Sequence, residues 1–145
     1  MEVTIATWAV AVSGVTLIVL LGIFQGVAVA NPRDDWTVRN VYGGDPAHTD
    51  PTAYFSHNQG YAWADVFFWA PLQIGAAIGM LLGERWGFLL GLAASVPFVY
   101  SAILIYIWDR DLEFRRNDLT YWFVWVMWPA FGVIQGLYCF VRLLE

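Results

Sequence analysis

Residues 4 to 30, TIATWAVAVSGVTLIVLLGIFQGVAVA, carry no charged side chain. A helix over that run rises about 40 Å at 1.5 Å per residue, more than the roughly 30 Å hydrocarbon core of a bilayer. Three more apolar stretches follow, at 61–83, 86–108 and 121–141, with most of the charge gathered between them. A chain of 145 residues that is 59% hydrophobic and 13% charged has too much surface to stand in water. Lipid removes that objection and demands segments that satisfy their own backbone groups. The expectation is an all-α integral membrane protein, a single domain over 1–145 with four transmembrane helices in an antiparallel bundle. The spans are approximately 4–30, 61–83, 86–108 and 121–141, with a partly ordered loop, 31–60, between the first two. A cleaved signal peptide suits the first run poorly, because Met1-Glu2-Val3 is acidic and the apolar run is too long.

The stretch GAAIGMLLGERWGFLLGLAAS, 75–95, is mirrored about Arg85. Gly83 pairs with Gly87, Gly79 with Gly91 and Gly75 with Ser95. Spacing of four puts each trio on one helical face. A reversal at Glu84-Arg85-Trp86 would bring the two small faces together in a hairpin. Small faces let helices approach closely where lipid cancels the hydrophobic drive between them. Pro71 and Pro97 sit near the centres of the second and third spans, where each can kink its helix.

Residues 31–60 are punctuated by Asp45-Pro46, Asp50-Pro51, Gly43-Gly44 and Gly60, which favour turns and helices of one turn at most. Asn31 is the candidate cap for a short helix through PRDDW. Trp36, Tyr54 and Phe55 suit an ordered lid against the bundle end or in the headgroup layer. Five Arg fall in the connectors (Arg33, Arg39, Arg110, Arg115, Arg116) and two, Arg85 and Arg142, on the side of the termini. The positive-inside rule then puts the connectors in the cytoplasm and the termini outside. The net charge of −5, with no basic stripe, speaks against a nucleic-acid partner. The single cysteine, Cys139, allows neither an intrachain disulfide nor a CxxC relay.

Polar residues inside the spans are the candidates for chemistry. Asp65 is the one carboxylate embedded in a span, about one turn inside the second helix. It is either a proton- or cation-handling group or an interfacial acid favoured by the positive end of its own helix. Gln25, Gln73 and Gln135 lie in three different spans, where Gln is usually interhelical glue worth about 0.6–2 kcal/mol. Gln25, Asp65, Gln73, Tyr100 and Tyr106 together form a candidate polar cavity beneath the 31–60 segment. His48 and His57 are weak metal-ligand candidates, since their spacing matches no ligand pattern. No span contains a histidine, so a haem held by two transmembrane histidines is excluded within one chain, and no cofactor is expected. Tyr121, Trp125 and Trp128 follow helical spacing in the fourth span and make an aromatic stripe, the candidate partner surface.

Four spans, a long first loop, an acid early in the second span and proline-kinked second and third spans resemble the architecture of the EXPERA group of sterol isomerases and sigma-type receptors. The resemblance covers span order alone and departs at Gln25, where an acid would be wanted, so no family is assigned. The function expected is that of a non-catalytic accessory or structural subunit, embedded in the lipid bilayer with other membrane subunits or with copies of itself. The alternatives are an apolar-ligand binder or isomerase using Asp65, and a small transporter or channel. The last would need more intramembrane charge than is present.

Overall fold

The structure is a computed structural model that describes residues 1–41, 51–109 and 119–145. Within those ranges the side chains at 51–55, 57, 105, 108–109 and 119–125 are not described. Helices α1 (Ile5–Ala30), α2 (Asp35–Asn40) and α3 (Pro51–Ala64) come first; a π turn (Asp65–Trp69) then leads into α4 (Ala70–Leu81), followed by α5 (Arg85–Asp109) and α6 (Leu119–Leu144). No strand occurs among the described residues. Among the described residues, four segments are long and apolar enough to cross a membrane: Ile5–Ala30, Asn58–Leu81, Arg85–Leu104 and Val126–Leu144. The chain is therefore consistent with a multi-pass membrane protein.

Two boundaries differ from the expectation. Helix begins at Pro51, so the last ten positions of 31–60 are helical, and the second candidate span begins among them at Asn58. Proline suits a first helical position because its missing N–H would have no partner there. Asp34, rather than Asn31, caps α2: its carboxylate accepts the Trp36 N–H at 3.0 Å. Asn31 lies one turn earlier, its carbonyl accepting the Asp34 N–H at 3.3 Å.

Contacts divide the chain into two compact units. In the unit formed by 16–71, a small core of Ala28, Val38 and Ala62 ties α2 to α1 and α3. Phe24 stacks on Trp36 with ring centroids 6.4 Å apart. The π turn has a local cause. Pro71 has no N–H, and in a regular helix its ring would strike the Phe67 carbonyl. One extra residue opens that turn, and the Ala70 N–H reaches back five residues to the Asp65 carbonyl.

The other unit comprises 1–15 and 72–145. Its core gathers Val10, Ala11, Ala76, Ala77, Met80, Phe88 and Cys139. The hairpin is present, but it turns at Gly83, not at Glu84-Arg85-Trp86. Gly83 has φ +72°, the left-handed conformation that closes a helix cheaply only when no Cβ is present. Its N–H bonds the Met80 carbonyl at 3.1 Å, and the Glu84 N–H bonds the Gly79 carbonyl at 2.9 Å. These two bonds make a Schellman closure.

Moving the turn shifts the small-residue register by one helical turn. Gly79 faces Gly87, where a Cβ on Gly79 would stand 2.5 Å from the Gly87 Cα. Gly91, expected opposite Gly79, instead makes room for Cys139, whose Sγ would lie 2.7 Å from an added Cβ. Gly75 meets only Leu90, at an ordinary 3.6 Å, and Ser95 faces Gly136 on α6. Helices α5 and α6 pack along one another. Gly132 comes so close to Phe98 that a Cβ there would be 2.6 Å from the Phe98 Cβ. Where α1 and α6 meet, Thr7 Oγ1 and Tyr138 Oη are 2.6 Å apart. Arg142 lies over the Phe88 ring at 5.2 Å, donates to the Glu2 carbonyl at 2.6 Å and pairs with Glu145 at 2.8 Å.

Candidate functional site

The polar residues of the spans separate into two arrangements, each inside one unit. In 1–15 with 72–145, the carboxamides of Gln73 and Gln135 bond each other reciprocally, both at 2.9 Å. Gln135 Nε2 also donates to the Gly91 carbonyl at 2.8 Å. Both amides are fully buried. Gly14 of α1 completes the clasp, because a Cβ there would overlap Gln73 Nε2. Four helices therefore meet at one hydrogen-bonded point. Each such interhelical bond contributes about 0.6–2 kcal/mol in lipid. Gln73, expected with Asp65 in a polar cavity, is thus committed to Gln135.

In 16–71, Gln25 Nε2 donates to Asp65 Oδ2 at 3.1 Å. The sequence grouped these two residues, and the structure joins them directly. Asp65 opens the π turn, and Gln25 belongs to the end of α1 that α2 covers through Val38 and Ala28. No basic side chain pairs with Asp65 among the described residues. Tyr100 and Tyr106, the other expected members, are 58% and 51% exposed on α5.

The recess in the larger unit is apolar and outward-facing. A groove of about 550 Å³ runs between α5 and α6, within the roughly 300–1,000 Å³ typical of ligand pockets. Leu92, Val96, Val99 and Ile103 line it from α5, and Val133, Leu137 and Phe140 from α6. Those positions follow alternating spacings of four and three, the spacing of a knobs-into-holes seam. Both rows belong to segments able to cross a membrane. The sequence reading missed this groove, although the four-three pattern on both helices was visible in it.

The aromatic stripe needs correction at Trp128. That side chain is 7% exposed and packs on Phe98, ring centroids 5.0 Å apart, so it belongs to the interior. Pro129 follows it within α6, yet the helix continues from Leu119 to Leu144. The side chains of Tyr121 and Trp125 lie outside the described residues, as do His48 and the side chain of His57. The fold and these arrangements define a class, a small multi-pass helical membrane protein. No protein-family model, no curated protein and no solved structure matches the chain.

Proposed function

We propose that this chain is a non-catalytic subunit of a membrane assembly, and that the α5/α6 groove seats a transmembrane helix of a neighbouring chain. One observation carries the reading. The buried carboxamides of the larger unit satisfy each other, while its recess opens outward and carries two rows of apolar side chains at coiled-coil spacing. Regular four-three rows are matched by the ridge of another helix. Gly132 and Gly136 also line this groove, where they bring α6 close to Phe98 and Ser95 of α5. On this reading the spans form an antiparallel bundle with the 31–60 segment at one end. Both termini are extracytoplasmic.

Photo-crosslinking in native membranes tests the docking. A crosslinker placed at Leu137, which is exposed, is expected to yield one discrete polypeptide adduct mapping to a transmembrane segment. Leu137→Trp, which fills the groove without entering the core, is expected to dissociate that complex on native electrophoresis and leave the melting temperature unchanged. Adducts to lipid alone would overturn the subunit reading in favour of an apolar-ligand binder. So would a complex that survives Leu137→Trp.

A further inference from the structure

The two rows that line the α5/α6 groove continue past its ends. On α5 the alternating spacing of four and three starts at Arg85, passes Leu89 and ends at Ile103. On α6 it starts at Val126, passes Ala130 and ends at Leu144. The α6 row is open along its length: Val126, Val133, Leu137, Phe140 and Leu144 are each half exposed or more.

The rows are also level with one another. Gly132 abuts Phe98, Gly136 abuts Ser95 and Cys139 abuts Gly91, so the two helices run in opposite directions at a fixed offset. That offset sets Leu89 level with Phe140, Leu92 with Leu137, Val96 with Val133 and Ile103 with Val126, each within about 1.5 Å of rise. A helix closes all these layers when it carries the same repeat at the same heights. A second copy inserted in the same orientation meets that condition, because a two-fold axis along the membrane normal puts equal residue numbers at equal heights. Acyl chains have no such repeat.

Charge points to the same occupant. Arg85 heads the α5 row and Glu145 follows the last member of the α6 row, both exposed and at one end of the groove. Arg85 donates to the Leu143 carbonyl at 3.0 Å and Glu145 pairs with Arg142 at 2.8 Å, which holds both groups at that edge. The two-fold sets Arg85 of each copy at the height of Glu145 of the other. Opposite charges then flank an apolar seam, as at the e and g positions of a coiled coil.

We propose that the neighbouring chain in the groove is a second copy of this one. Helices α5 and α6 of the two copies close a four-helix seam, with Arg85 of each paired to Glu145 of the other. This rests on the subunit reading of the groove and names its partner.

The experiment places two copies of the full chain, with different epitope tags, in one membrane. A photo-crosslinker at Leu137 of one copy is expected to capture the other tag, with the adduct mapping to α5 or α6. An adduct to a different polypeptide overturns the second copy and leaves the subunit reading standing; adducts to lipid alone overturn both. Arg85→Glu and Glu145→Arg are each expected to pair with themselves several-fold less than wild type, because like charges then meet at the seam edge. Expressed together, the two variants are expected to pair with each other as wild type does, since both opposite-charge contacts return across the interface. Undiminished self-pairing of both variants, or no rescue on mixing folded variants, overturns the two-fold arrangement. Should either variant fail to fold, the Leu137 adduct decides.

Discussion

Gln73 and Gln135 make the larger unit sensitive to a single change, because each is buried and bonded to the other. Gln135→Leu removes one partner and leaves the Gln73 carboxamide and the Gly91 carbonyl buried without it. A buried polar group stripped of its partner costs about 1–3 kcal/mol. The double variant Gln73→Leu with Gln135→Leu removes both amides, so its loss is expected to be smaller than the sum of the single losses. Equilibrium unfolding in mixed micelles measures the cycle, and strict additivity would show that the two side chains do not act as a pair. The presence of these glutamines in the spans was legible from sequence, but their pairing was not. Gln25, Gln73 and Gln135 are alike in composition and context, and only the packing decides that Gln25 meets a carboxylate while the other two meet each other.

At the scale of elements, the four spans were legible because charge is sparse in each of them, with Asp65 the one carboxylate embedded in a span. The hairpin register was not. Small residues spaced by four map onto themselves when one helix slides by a turn, so pairing about Arg85 and pairing about Gly83 look equally good in sequence. What breaks the tie is turn chemistry: the residue that adopts positive φ cannot also serve in the packed face. The extension of helix to Pro51 was hidden by the polar residues that follow it, and the π turn by a hydrogen-bond register that leaves no periodic trace. The glycine contacts give an ordered prediction. Gly87→Ala places a methyl group against the Gly79 backbone and is expected to destabilise by about 1–3 kcal/mol, the usual cost of overpacking. Gly75→Ala meets one flexible leucine and is expected to be neutral or to gain up to about 1 kcal/mol of helix propensity. Thermal melts in one detergent compare the two, and an equal loss in both would refute the Gly79–Gly87 approach.

For the molecule as a whole, the Arg distribution gives a prediction about sidedness. A reporter active only in the cytoplasm, fused after Glu145, is expected to be silent, and activity would reverse the orientation. Class and span number were readable because bilayer thickness imposes them, whereas the α5/α6 groove depends on which faces the two helices leave uncovered once they have packed. Cys139 has a different consequence at this scale. It is the chain's one thiol, sealed between Gly91 and Met80 in the core of the larger unit. An alkylating reagent can reach it only when that core separates, so its labelling rate is a native clock for the opening of the assembled helices. No engineered probe is needed to read the breathing of this protein in its own membrane.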